Sequence, residues 1–400
     1  MLLLWLQRRI EPGKHVLQVL LICAGALMAP LDSSVNVAFP AIAETFRVDP
    51  RQIQWIVLAF VIAQTLAALA CGRLGDLVGY RRVFLFGLAA CVAAHWAVAQ
   101  AVEFSTLIFL RALQGAAVGM AVACAPALVK RAAGPERAAQ MLAFYTTAIS
   151  AGVVIGPLLG GLLVHLFGWP GVFLFRVGLS AAVLSLAIVW LTPDGHPRPA
   201  ATARTRPAIA WHVLASARYA ALQASSLMTY LATFTLLLWI PFLLSSWGGL
   251  TIIEAGAVLS AFPVGAFVTG LLAAKGPWVA GPTYSRALVA VGQWVAAIGL
   301  AAAAACSIFE NKVALMAALL VCGAGLGCFQ AGYIEQTMRW MPADNSGVAG
   351  SLVASTRLMG LVIGVPILSA CGAVFGITAT LAGSAAVLAV WALCYRIAPR

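Results

Sequence analysis

Long apolar runs alternate with short polar connections along the entire chain. A run of roughly 17–25 apolar residues can cross a bilayer as a helix. Twelve such windows can be marked, at 16–38, 53–71, 83–101, 106–129, 139–166, 172–191, 219–245, 252–274, 286–308, 313–338, 347–370 and 373–395. The pattern predicts an all-α polytopic membrane protein with twelve transmembrane helices.

A polar connection rich in Arg, Pro and Ala separates the first six windows from the last six. It predicts an N-terminal six-helix half at 1–191, a cytoplasmic linker at 192–218 and a C-terminal six-helix half at 219–400. Two similar halves would place a substrate site between them, near the middle of the membrane.

Composition and charge agree with a membrane protein. Hydrophobic residues make up 63% of the chain and charged residues only 9%, against about 25% charged in soluble domains. The net charge of +12 could indicate nucleic-acid binding. However, when loops are assigned alternately to two sides, eighteen Lys and Arg fall on one side and three on the other. This asymmetry predicts cytoplasmic termini, an inner-membrane location and contact with anionic lipid, with no nucleic-acid partner.

Asp32 is the strongest candidate for chemistry in the first half, because it lies inside the first apolar window. An acid at that depth is costly unless it is paired or protonated, so it suggests a proton carrier. Asn36 and Pro40 follow at intervals of four and share its helix face. A structural ion pair or a hydrogen bond between helices is the alternative interpretation.

Arg111 in the fourth window is the expected partner of Asp32. Both residues lie five or six positions from the same end of their windows, so their depths agree within about 2 Å at a rise of 1.5 Å per residue. Alternatively, Arg111 extends its charge to the membrane surface or bonds backbone carbonyls.

A glycine stripe marks the fifth window. Gly152, Gly156 and Gly160 recur every four residues, beside Gly161 and Pro157. Such a stripe lets another helix approach closely, and the proline bends the helix locally. By spacing alone, an ordinary packing interface is an equally good interpretation.

The segment Gly72–Arg82 concentrates charge between two apolar windows. It reads Gly-Arg-Leu-Gly-Asp-Leu-Val-Gly-Tyr-Arg-Arg. It resembles the loop between the second and third helices of major facilitator superfamily transporters, Gly-x-Leu-Ala-Asp-Arg-x-Gly-Arg-Arg, although Leu77 and Tyr80 depart from that pattern. The resemblance implies a cytoplasmic gate formed by charges that separate and re-form during transport. The gate residues would be Gly72, Asp76, Gly79, Arg81 and Arg82. The alternative is a loop that only sets topology.

Three further segments resemble one group in that superfamily, the drug/proton antiporters that usually have fourteen spans. Residues 31–40 are similar to its first-helix signature, 110–117 to its Arg-x-x-Gln-Gly motif, and 152–161 to the motif that marks antiporters. The resemblance implies that Asp32 and Arg111 couple transport to protons and that transport is outward. The sequence departs from this group in two ways. It has twelve predicted spans instead of fourteen, and Arg176 stands where the group commonly has Asn.

The second half offers weaker candidates. Arg357 lies in a stretch similar to the group's Arg-x-x-Gly-x-x-x-Gly, and it could attract an anionic substrate group, so the sign of the substrate stays open. The candidates for a substrate cavity are Asn36, Gln114, Tyr230, Phe234, Trp239 and Arg357. Packing against lipid or core is the alternative for the aromatic residues. The spacing of Glu335 and Arg339 predicts an ordinary helical ion pair. A second proton site at Glu335 is the alternative.

These features and the resemblance predict a monomeric proton-coupled efflux transporter for small amphipathic drugs or metabolites. It needs a proton gradient but no cofactor. The nine cysteines lie singly, without the spacing of a metal site, so no metal is expected. A proton-coupled importer and a non-transporting receptor remain alternatives. A membrane enzyme would need a second acid, a metal set or a nucleophile–base pair, and the sequence suggests none.

Overall fold

The computed structural model describes residues 15–134, 136–192, 216–275, 282–340 and 346–397. Within these ranges the chain forms twelve α-helices and two short 3-10 helices, with no β-strand. In the first half the helices are α1 (His15–Ala26), α2 (Val35–Phe46), α3 (Gln54–Val78), α4 (Tyr80–Ala99), α5 (Phe104–Ala133) and α6 (Ala138–Trp190). In the second half they are α7 (Ala217–Ser246), α8 (Ile252–Lys275), α9 (Pro282–Phe309), α10 (Lys312–Trp340), α11 (Ser346–Phe375) and α12 (Ile377–Ile397).

Helix α6 contains two membrane spans. Its 53 residues would extend about 80 Å at 1.5 Å per residue, far more than a hydrocarbon core of about 30 Å. The helix breaks at Gly168, where φ is 68°, a conformation that glycine adopts without strain. Pro170 then lacks the backbone N–H that would close the next turn.

The described helices account for twelve spans. Ten helices are long and apolar enough to cross a membrane, and α1 with α2 forms an eleventh span bent by 41°. Dividing α6 at Gly168 gives the twelfth. The predicted class, an all-α polytopic membrane protein, is confirmed.

The first span is not the continuous helix that the apolar window 16–38 suggested. Helix α1 ends at Ala26, and a 3-10 helix at Pro30–Ser34 precedes α2. Pro30 has no N–H to donate to the preceding turn. The Ser33 hydroxyl donates to the Pro30 carbonyl at 2.8 Å, and the Ser34 hydroxyl donates to the Leu31 carbonyl at 2.6 Å. These bonds satisfy backbone groups that a regular helix would have paired, which allows an irregular segment inside a span.

The chain divides into two compact units. The first unit comprises Met1–Val48 and Trp55–Thr202, and the second comprises Asp49–Gln54 and Ala203–Arg400. Helices α1–α6 therefore belong to the first unit and α7–α12 to the second. Most of the predicted linker, 193–215, lies outside the described residues, and the boundaries at 191 and 219 stay a prediction.

In the second unit, glycines bring α8, α9 and α10 into backbone contact. A methyl group added at Gly323 of α10 would overlap the Phe262 carbonyl of α8. On the opposite face of α10, a methyl group at Gly325 would overlap the Ala296 amide of α9. Helix α10 is therefore packed between α8 and α9, whose backbones leave no room for a side chain at positions 323 and 325.

We predict that Gly323→Ala lowers the thermal unfolding midpoint of the purified protein, because overpacking costs about 1–3 kcal/mol. Gly270→Ala on α8 is the matched control, since nothing lies within 4 Å of its added methyl group. Equal midpoints for the two variants would contradict this account of the packing.

Candidate functional site

Asp32 lies between two arginines of the first unit. Arg111 donates to both carboxylate oxygens, from Nη1 to Oδ1 at 2.8 Å and from Nη2 to Oδ2 at 2.8 Å. Arg176 donates from Nη1 to Oδ1, also at 2.8 Å. The depth argument predicted the contact with Arg111, whereas the contact with Arg176 was not foreseen. We call Asp32, Arg111 and Arg176 the triad.

Arg111 is held from several sides besides Asp32. Its Nη1 donates to Gln114 Oε1 at 2.7 Å, and its Nε donates to the Ile56 carbonyl at 3.4 Å. The Phe60 ring lies under the guanidinium, with its centroid 4.3 Å from Cζ. Arg111 thus joins α5 to α3 and to the irregular segment of the first span.

Arg176 lies in the part of α6 that follows the break at Gly168. It connects that part of the helix to the irregular segment of the first span. Besides Asp32, it donates to the Leu31 carbonyl and to Ser34 Oγ, the latter at 2.9 Å. Its Nε is buried without a partner among the described residues. The sequence carried a signal for this contact, because Arg176 stands near the same end of its window as Asp32 does.

Burial differs sharply within the triad. The side chains of Arg111 and Arg176 are 1% exposed, whereas that of Asp32 is 18% exposed. Asp32 is therefore the most exposed member of the triad.

One carboxylate between two guanidiniums gives the ionised triad a net charge of +1. Protonation of Asp32 would leave two buried cations side by side without an anion. Leaving a buried charge unpaired is strongly unfavourable. The three contacts therefore fit the ionised form of Asp32.

The glycine stripe of α6 packs directly on the irregular segment. A methyl group at Gly156 would overlap Ser33 Oγ, and one at Gly160 would overlap the Ser34 carbonyl. At Gly152 it would lie 2.7 Å from Leu27 Cδ2. Pro157 and Gly161 are also buried. The stripe thus positions the backbone that carries Asp32, which its spacing alone did not indicate.

The charged segment 72–82 differs in form from the predicted loop. Helix α3 continues to Val78, and the break before α4 is a single residue, Gly79, with φ of 101°. Arg81 donates to the carbonyls of Leu191 at 3.0 Å and Ile188 at 2.8 Å, near the end of α6. The surroundings of Gly72 and the side chain of Asp76 lie outside the described part of the chain, and Arg82 is exposed. The gate stays a prediction.

The departure at Tyr80 has a packing explanation. A methyl group at Gly75 would lie 2.5 Å from the Tyr80 ring, so glycine makes room for the aromatic side chain. The Arg131 guanidinium lies over the other part of the ring, with Cζ 4.9 Å from the centroid. Tyr80 therefore joins α3 to α5 where the resembling pattern has a basic residue.

Several predicted cavity residues are buried in this structure, and their assignment to a substrate cavity stays a prediction. Gln114 is fully buried and supports Arg111. Phe234 is buried too, and Trp239 donates from Nε1 to the Leu368 carbonyl at 2.9 Å while its ring covers Gly372. These residues pack helices together in this structure. Asn36 does share a partly exposed face with Asp32 and Pro40, while Val35 and residues 37–39 are buried.

The remaining candidates belong to the second unit. Arg357 on α11 is exposed, with Cζ 5.8 Å from the centroid of the Tyr230 ring on α7. Tyr230 itself is buried and stacks on Phe234 at 5.9 Å. Glu335 forms the expected ion pair with Arg339, four residues further along α10.

Comparison with known proteins identifies the relationship. Residues 21–283 match the sequence family described as Major Facilitator Superfamily. The riboflavin transporter RibZ of Clostridioides difficile is 29% identical over 43% of this chain and 38% of its own length. The tetracenomycin C resistance and export protein of Streptomyces glaucescens is 29% identical over 44% of this chain and 32% of its own length. The chain thus spans well under half the length of these two curated relatives.

Two longer matches extend across both halves. The uncharacterized transporter YebQ of Escherichia coli is 23% identical over 94% of this chain and 93% of its own length. The crystal structure of a bacterial homolog of the human lysosomal transporter Spinster superposes with a TM-score of 0.79, covering 96% of both chains at 15% identity. At that identity the structural match shows the fold alone.

We predict that Asp32→Asn destabilises the protein strongly, by about 3–5 kcal/mol, because it leaves two buried guanidiniums without an anion. Adding Arg176→Gln should restore part of that stability, since only one unpaired cation then remains. Thermal unfolding in detergent checks the order of the variants. Asp49→Asn, which breaks an exposed ion pair with Arg51 at 2.9 Å, should change little. A double variant less stable than Asp32→Asn alone would contradict the charge argument.

We also predict that Gly156→Ala impairs transport, because the added methyl group displaces Ser33 and, with it, the adjacent Asp32. Gly178→Ala on the same helix is the control, since its methyl group meets nothing within 4 Å. Initial uptake or efflux rates in proteoliposomes measure the effect. Equal rates in the two variants would show that the stripe does not position Asp32.

Proposed function

Because the chain belongs to the Major Facilitator Superfamily of membrane transporters, we propose that it exports small amphipathic drugs or metabolites in exchange for protons by alternating access. It is a multi-pass membrane protein rather than an enzyme. We further propose that it works as a monomer in the inner membrane, among anionic lipids, with both termini in the cytoplasm.

The observation that supports proton exchange is the triad. Asp32 is an intramembrane acid that is partly exposed, and three hydrogen bonds from two buried arginines hold its ionised form. A protonated carboxyl group cannot balance those cations, so proton uptake and the closed triad exclude each other. The proton therefore selects a conformation in which the irregular segment has moved away from at least one arginine.

Exchange follows when cargo and proton favour different conformations. A ligand shifts a conformational equilibrium only through its different affinities for the two states. In the proposed cycle Asp32 takes a proton on the outside as cargo leaves, and it releases the proton on the inside as cargo binds. One elementary charge crossing the membrane potential contributes about 2.3 kcal/mol per 100 mV, enough for a modest cargo gradient per proton.

Outward transport is favoured by two observations of different kinds. The glycine stripe that resembles the antiporter motif lies against the segment carrying Asp32. Among the relatives, one is named as a resistance and export protein. The segment 72–82 would act as the cytoplasmic gate of the cycle. A proton-coupled importer would use the same triad with the opposite flux.

We predict that Asp32→Asn, assayed together with the Arg176→Gln change that restores part of its stability, abolishes proton release driven by cargo, whereas Asp32→Glu retains part of it because the carboxyl group is kept. The measurement uses proteoliposomes that hold a pH-sensitive dye, with a proton gradient imposed and drugs or metabolites added. Asp49→Asn serves as the control carboxylate. Undiminished release in Asp32→Asn would refute the assignment, and proton movement in the same direction as cargo would indicate an importer.

A further inference from the structure

Resting on the proposed function, we infer that the cargo is an organic anion, and that Arg357 and Tyr230 of the second unit receive its carboxylate or other oxyanion. The apolar body of the cargo would then lie against the surrounding membrane-spanning helices.

Arg357 has no counter-ion within the described parts of the chain. It lies near the middle of α11, its side chain is exposed, and its guanidinium has no ion pair or hydrogen bond with the described residues. The carboxylate of Glu335, on the neighbouring helix α10, is already paired with Arg339. An anion from outside the protein would therefore meet no competing acid among the described side chains.

Exposure inside a span indicates a water-filled opening. A charged side chain facing hydrocarbon is costly, and arginines within spans face protein interiors or aqueous cavities. The exposed Arg357 is consequently assigned to a cavity through which a polar cargo can pass.

Tyr230, whose ring lies under the Arg357 guanidinium, carries a second donor. Its hydroxyl accepts a hydrogen bond from Gln330 Nε2 at 3.0 Å, while its own O–H proton has no acceptor in the described part of the chain. Arg357 Cζ lies 5.8 Å from the centroid of the same ring. Two donors without an acceptor form a site that suits an oxyanion, because hydrogen bonds to charged acceptors are the strong ones.

The packing around Tyr230 keeps this geometry fixed. The ring stacks on Phe234 at 5.9 Å and meets the edge of Phe329 at 6.3 Å. A methyl group at Gly360 of α11 would lie 2.7 Å from Tyr230 Cβ. Helices α7 and α11 are therefore held close together at the point where Arg357 reaches over the ring.

Charge movement favours an anion as well. When a proton enters and an anion leaves, two charges move in the direction that an inside-negative membrane potential drives. A cationic cargo would cancel that contribution, and it would be repelled by Arg357.

The test measures binding of naphthoate and of its neutral amide, naphthamide, to the full-length protein in phospholipid-free detergent. We expect naphthoate to bind about tenfold more tightly or better, as a hydrogen bond to a charged group implies. Arg357→Gln should remove this preference, Arg357→Lys should keep most of it, and Tyr230→Phe should weaken it. Arg218→Gln, at an exposed position near the start of α7, is the control and should leave the preference intact.

The inference is overturned if naphthoate, naphthalenesulfonate and naphthyl phosphate all bind no better than naphthamide, or if Arg357→Gln keeps the preference. It is also overturned if Arg357→Gln has an effect only in vesicles of anionic lipid, since the guanidinium then serves a lipid headgroup. Failure of proton exchange is a separate result. It would appear as an unchanged signal in Asp32→Asn, while the anion preference could still depend on Arg357.

Discussion

A single carboxylate forms ion pairs with two buried guanidiniums, and the packing of three spans in the first unit depends on these contacts. Arg111 and Arg176 come from different helices and are almost completely enclosed. Neither could remain there without Asp32, because an unpaired buried cation is strongly unfavourable. The three side chains therefore tie the first, fourth and sixth spans together. Any event that removes the charge of Asp32 must also rearrange those spans, so a local protonation has consequences for the entire unit.

The irregular segment of the first span makes this arrangement possible. Pro30 ends the regular helix, and Ser33 and Ser34 satisfy the carbonyls that the break exposes. The segment can then present its Leu31 carbonyl, Ser34 hydroxyl and Asp32 carboxylate to Arg176 together. The glycines of α6 leave room for it. Broken helices are a recurring way for transporters to build polar sites at membrane depth.

The sequence predicted the parts of the fold that depend on hydrophobicity. Long apolar runs determine which segments become spans, and spacing by depth was enough to pair Asp32 with Arg111. The break at Pro30 was missed because apolarity does not report backbone geometry. The contact between Asp32 and Arg176 was not predicted, because the sequence indicated only one arginine, Arg111, as the partner of Asp32. The chemical type of Gln114 and Trp239 favours a cavity, but the close packing of neighbouring helices buries them in this structure, so their cavity role stays a prediction.

The central claim is that proton uptake by Asp32 and closure of the triad exclude each other. Infrared difference spectroscopy tests it directly, by following the carbonyl band of a protonated carboxyl group in membranes containing the protein. The account predicts a band that appears on acidification, disappears when cargo is added, and is absent in Asp32→Asn. A band that is insensitive to cargo, or one that persists in Asp32→Asn, would contradict the account.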